Sequence, residues 1–95
     1  MVIAYALLDL HLPGCHGLKE KRMIVRSLKT RIRNDFEVSV AEVADQDLLQ
    51  RARLGIGAVG PDQAPLDALL QRILSFVENN LDGELLDYRN EFIHV

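Results

Sequence analysis

The sequence predicts an α+β sandwich: a four-stranded antiparallel sheet with two helices packed on one of its faces. Three observations predict it. Four segments carry apolar residues at every second position, two carry them at spacings of three and four, and the six follow one another as strand, helix, strand, strand, helix, strand. The chain has 95 residues, 48% hydrophobic and 26% charged, which suits one globular domain over 1–95 with a small core. Trp is absent and aromatics are 5%, so that core is aliphatic.

The first strand is predicted from Val2 to Leu12. Val2, Ala4, Ala6, Leu8, Leu10 and Leu12 form its core face. Ile3, Tyr5 and Leu7 make the other face apolar too, before it turns polar at Asp9 and His11. Pro13-Gly14-Cys15-His16-Gly17 is a turn by composition. A helix follows from about Leu18 to Asn34. Gly17 is an acceptable N-cap, Glu20 stands where a capping-box acid belongs, and Val25, Leu28 and Ile32, flanked by Leu18 and Ile24, form the apolar stripe.

Phe36 to Val43 alternates as a second strand, and Ala44-Asp45-Gln46-Asp47 connects. The third strand runs from about Gln50 to Gly60, with Ala52, Leu54, Ile56 and Ala58 on its core face and Arg51, Arg53, Gly55 and Gly57 opposite. Pro61 breaks the pattern and Asp62 is placed to cap the second helix, whose stripe is Leu66, Leu69, Leu70, Ile73 and Val77. Asn79-Asn80 and Asp82-Gly83 end that helix, and Leu85 to Val95 is the last strand. The order βαββαβ is the ferredoxin-like arrangement, with the first and third strands central and one sheet face open unless a partner covers it.

Charge is segregated. Lys19, Lys21, Arg22, Arg26, Lys29, Arg31 and Arg33, seven of the eleven Lys+Arg, lie between Leu18 and Asn34 beside one acid, Glu20, in a chain of formal charge -3. At 100° per residue, Lys19, Arg22, Arg26, Lys29 and Arg33 fall within a sector of about 80° that borders the apolar stripe without interrupting it. Like charges so spaced weaken an isolated helix by a few tenths of a kcal/mol per pair, so packing must offset them. A solvated face, or cations paired with neighbouring acids, is one reading of this stripe. A phosphate-binding surface is the other, with binding that falls steeply with salt and no base specificity. The acidic remainder argues against indiscriminate nucleic-acid binding.

Other motifs carry less. Arg51 and Arg53 fall on the open face beside Gly55 and Gly57, where a base-stacking surface would need aromatics that this strand lacks; cross-strand pairing with acids such as Glu42, or an oligomer contact, is preferred. Cys15, His16 and His11 do not have structural-zinc spacing, and no orienting acid makes Cys15-His16 a hydrolytic dyad. Gly55, Gly57 and Gly60 lie inside a strand, without the helix start a dinucleotide loop requires. No metal, cofactor or enzymatic activity is therefore expected. The single cysteine forbids an internal disulfide and fits a cytoplasmic setting. The N-terminus lacks the positive start of a signal peptide, and its apolar run is broken by Asp9 and too short to span a membrane.

Leu18-Lys19-Glu20-Lys21-Arg22, Ser27-Leu28, Val38-Ser39-Val40-Ala41-Glu42-Val43, Asp47, Gln50-Arg51-Ala52 and Leu54-Gly55 together resemble the YlxP-like family of small bacterial proteins. Gly17 and Leu49 depart from it, standing where Ser and Trp are common. The resemblance implies a ferredoxin-like fold and a cytoplasmic setting. It also implies an association with translation, since members are often encoded beside ribosome-maturation genes, but no catalytic residues. The expected function is therefore a non-enzymatic binding protein that docks on ribosomal RNA or a ribosomal particle through Lys19, Arg22, Arg26, Lys29 and Arg33. A structural or small-molecule-sensing homo-oligomer, associating through its sheet, is the alternative.

Overall fold

The computed structural model describes residues 1–95. Its elements are β1 (Val2–His11), α1 (Leu18–Asp35), β2 (Ser39–Ala44), β3 (Arg51–Gly60), α2 (Gln63–Asn80) and β4 (Glu84–His94). The strands form one sheet in the order β2-β3-β1-β4, with every neighbouring pair antiparallel. This is the predicted ferredoxin-like layout, with β1 and β3 at the centre.

Alternation constrains the register to pairings that keep the apolar set on one face. β1 and β3 pair without a break from Val2↔Gly60 to His11↔Arg51. Ala4, Ala6, Leu8 and Leu10 thereby meet Ala58, Ile56, Leu54 and Ala52 on one face, and all eight are buried. A slip of one residue would turn that whole set to the open side, so burial fixes which face each residue takes. Above it, α1 buries Val25, Leu28 and Ile32, and α2 buries Leu66, Leu70, Ile73 and Val77. α1 packs over β2, and α2 over β1, β3 and β4. The helices meet where Phe36 and Phe76 stack edge to face with centroids 5.7 Å apart. Beside them the Arg31 guanidinium lies 5.2 Å from the Phe76 centroid and donates to Asn80 Oδ1 at 2.7 Å.

One element boundary differs from the periodicity by more than a residue. β2 begins at Ser39 and not at Phe36. The Phe36 N–H closes the last turn of α1 on the Ile32 carbonyl at 2.9 Å, and the Val38 N–H turns back to the Phe36 carbonyl at 3.0 Å. The backbone that would extend β2 is thus spent on leaving the helix. α2 stops at Asn80, as the sequence predicts, and the Asn80 side chain donates to the Phe76 carbonyl at 2.8 Å. Gly83 serves a close approach, with no left-handed cap: a β-carbon there would collide with the His11 carbonyl.

The caps are also simpler than the sequence suggests. Gly17 caps α1 with extended backbone, and Glu20 accepts from the His16 N–H, one residue before the cap, at 3.4 Å. Asp62 occupies the N-cap of α2 but makes no side-chain capping bond.

Candidate nucleic-acid interface

The orientation of α1 follows from its buried line, Lys21, Val25, Leu28 and Ile32, which faces the sheet. Ile24, Leu28 and Arg31 border a groove closed by Asn80 and Leu81, which marks the side of α1 that faces α2. Lys19, Arg22, Arg26, Lys29 and Arg33 centre about 110° round the helix from the buried line, on the side away from α2. That flank looks out over β2, the edge strand. Lys19, Arg22, Arg26 and Arg33 are exposed and Lys29 is half-buried. From Lys19 to Arg33 the row extends about 21 Å at 1.5 Å per residue.

None of these five cations has an acid within ion-pairing distance. The molecule has two ion pairs, Lys21–Glu42 and Arg53–Asp9. The sequence left open whether neighbouring acids pair with the stripe; in the fold no acid forms an ion pair with any of the five. The other two cations of the basic segment point elsewhere, Arg31 to α2 and Lys21 into the core.

Lys21 is the residue whose role sequence reasoning missed. It is 1% exposed, and its Nζ lies 3.0 Å from Glu42 Oε2 and donates to the Asp45 carbonyl. Glu42 Oε2 sits beside the ammonium without an aligned hydrogen bond of its own, so the contact is principally ionic. Asp45, with φ of 65°, holds a left-handed conformation that turns its carbonyl to the lysine. The pair ties the first turn of α1 to β2 and to the loop after it. A signal existed: Lys21 is in phase with Val25, Leu28 and Ile32, and Glu42 with Val40.

On the open face, Arg53 pairs with Asp9 and not with Glu42. Its Nε donates to Oδ1 at 2.6 Å and its terminal nitrogen to Oδ2 at 3.1 Å, across the Asp9↔Arg53 register position. The guanidinium holds the Asp9 carboxyl below the usual carboxylate range, and Asp9 in turn raises Arg53. Glu42 cannot serve because alternation puts it on the core side of β2. Tyr5 donates to Glu91 Oε2 at 2.6 Å, a bond that pushes the phenol above its usual pKa.

Beside these polar pairs the face carries apolar side chains, Ile3 and Leu7 on β1, Val43 on β2, Val59 on β3 and Ile93 on β4, together with Arg89 and Asp87 of β4 opposite Leu7 and Asp9. Val59 is 64% exposed and Ile93 47%. Val43 covers Gly55, where a β-carbon would come within 2.9 Å of its Cγ1, whereas the space above Gly57 is open. Cys15 is sealed in the core, and that burial, first of all, raises its thiol pKa, while His16 is exposed.

A split βαβ sandwich with a cationic helix flank and an uncovered sheet face is the class of protein this geometry defines. Residues 3–90 match the family described as protein of unknown function (DUF503), and the chain belongs to that family. It is 35% identical to the uncharacterized protein YlxP of Bacillus subtilis (strain 168) over 91 residues, which cover 96% of this chain and 99% of that protein. No helix is long and apolar enough to cross a membrane.

Proposed function

We propose that this protein is a non-enzymatic, cytoplasmic binding protein that docks on ribosomal RNA or a ribosomal particle through the outer flank of α1. The observation that carries this reading is the row of five cations without acidic partners. Lys19, Arg22, Arg26, Lys29 and Arg33 act as phosphate-positioning contacts, and recognition rests on RNA shape or on a neighbouring protein. If all five each neutralise one phosphate, log affinity falls against log salt with a slope of about -3.5 to -4.5. Between 50 and 200 mM salt that is a loss of roughly 100- to 500-fold.

The test is co-sedimentation with ribosomal particles at both salt concentrations, beside the triple variant Arg22→Glu, Arg26→Glu, Lys29→Glu. Salt-sensitive co-sedimentation that the variant loses supports the reading; binding that survives the triple reversal refutes the helix-flank assignment. A second reading rests on the exposed Val59, Ile93 and Val43 of the open face, which suit a homo-oligomer joined through its sheet. A monomer at micromolar concentration by light scattering excludes it.

A further inference from the structure

β2 stops accompanying β3 before β3 ends. Their ladder closes at Ser39↔Gly57, whereas β3 continues through Ala58, Val59 and Gly60, held on its other side by Ala4, Ile3 and Val2. Phe36–Val38, which would have extended β2, turn away, and no backbone hydrogen bond joins them to Ala58–Gly60. Successive strand residues direct their N–H and C=O to alternate sides, so at least one donor–acceptor pair of this tripeptide faces the vacant side. Natural edges are guarded by lysines, bulges or prolines. Here Pro61 ends the edge and no lysine stands beside it.

The vacancy is a groove of about 700 Å³. Phe36 and Val38 form one wall, Val59 lies along the strand, and Leu66 and Leu69 from the start of α2 close the apolar side. Its rim is acidic, with Asp35, Glu37 and Asp62 against the single cation Arg72. None of the three carboxylates is engaged in an ion pair, and Asp62 does not use its side chain to cap α2. The groove therefore offers open backbone, apolar walls and net negative charge together.

We propose that this groove takes an extended peptide segment of a protein partner, with alternating apolar and basic side chains, added as a short strand to the Ala58–Gly60 edge. Main-chain bonds would hold the segment, its apolar side chains would enter between Phe36 and Leu69, and its cations would meet Glu37 and Asp62. The rim repels phosphate, so this surface is distinct from the cationic flank of α1. It also repels the sheet edge of a second copy at β4, whose Glu84, Asp87 and Glu91 outnumber Arg89. The chain's own ends are engaged with one another: the Val95 N–H bonds the Met1 carbonyl at 2.8 Å, and the Met1 ammonium bonds the Val95 carbonyl at 3.1 Å.

The test is a titration of the ¹⁵N-labelled protein with a capped heptapeptide of alternating lysine and valine. Its glutamate–valine counterpart and a lysine–valine peptide N-methylated on alternate amides are the controls. The lysine–valine peptide should shift the amides of Ala58, Val59, Gly60, Leu66 and Leu69 and slow hydrogen exchange at the β3 edge. Both controls, and the exposed double variant Glu37→Lys, Asp62→Lys, should bind at least tenfold more weakly, the variant with an otherwise native spectrum. Absence of shifts at millimolar peptide, or equal binding by the glutamate or N-methylated peptide, would overturn the proposal. So would concentration-dependent shifts of the same amides without peptide, which would assign the groove to self-association.

Discussion

Lys21 and Glu42 provide the sharpest test of how this fold holds its basic helix. Replacing Lys21 with Met leaves Glu42 as a carboxylate on the core side of β2 with no cation beside it; replacing Glu42 with Leu leaves a buried ammonium with only the Asp45 carbonyl. Removing one member of a buried pair costs about 3–5 kcal/mol, because the survivor is desolvated and uncompensated. The Glu42 side chain keeps 18% of its exposure against 2% for Lys21, so Lys21→Met belongs near 3 kcal/mol and Glu42→Leu near 5. The double variant removes both charges and should recover most of that loss, ending within about 1 kcal/mol of the parent or above it. A domain of this size has roughly 5–14 kcal/mol of stability to lose, so either single change consumes a large part. Urea unfolding followed by far-UV circular dichroism measures the effect as a shift in midpoint at constant slope. In thermal melts, 3 kcal/mol corresponds to about 12–24 °C for a chain of this length. Single variants that each cost under about 1 kcal/mol would refute the reasoning, and so would a double variant as unstable as the sum of the two.

Three further outcomes follow from the geometry. Asp9 has its folded-state pKa depressed by Arg53, so it binds its proton less readily folded than unfolded. Its stabilisation is full above the ordinary carboxylate pKa of about 4 and is lost as pH falls through the lower folded value. Arg53 is about one-third exposed, so the contribution is at most about 1 kcal/mol; an acid titration of stability should show it in the parent and not in Arg53→Ala. Gly83→Ala should cost about 1–3 kcal/mol in urea unfolding, because its β-carbon meets the His11 carbonyl, while Gly57→Ala, with open space above it, should stay within about 1 kcal/mol of the parent. The triple reversal Arg22→Glu, Arg26→Glu, Lys29→Glu should change stability by less than about 1.5 kcal/mol in the same assay, since none of the three has an acidic partner to lose.

Local pattern carried most of this fold and stopped where non-local contacts decide. The core faces of β1 and β3 and the buried lines of both helices follow from periods of 2 and 3.6, because burial on one side enforces them. The start of β2 does not. Phe36-Glu37-Val38 alternates in phase with the strand, yet Phe36 completes the last turn of α1 and stacks on Phe76, forty residues away. Lys21 was readable by phase, but a lysine is ordinarily assigned to the surface. Its partner was readable too, since alternation places Glu42 and Arg53 on opposite faces of the sheet. That Asp9 is the acid facing Arg53 depends on the β1–β3 register, which no local pattern specifies. The acidic groove arises from the unequal lengths of β2 and β3 and had no sequence signal.

The distribution of charge bears on how a polyanion would approach. Setting aside the five cations of the α1 flank, the chain retains six basic residues against fourteen acids, a formal charge of -8. Two of those six are already spent on Glu42 and Asp9. A phosphate backbone is therefore attracted within about a Debye length of the α1 flank, roughly 8 Å at physiological salt, and repelled by the rest of the molecule. In the proposed docking, such a field would select orientation more than it adds affinity, discouraging non-specific adhesion along RNA and favouring one pose. The acidic groove at the end of β3 has the opposite sign, which suits the different class of ligand proposed for it. Neutralising acids far from α1 should then raise binding to any RNA without changing the docked pose, whereas reversing α1 should abolish the pose itself. Competition by bulk RNA separates the two effects, because only the first class of variant would bind such RNA more tightly than the parent does.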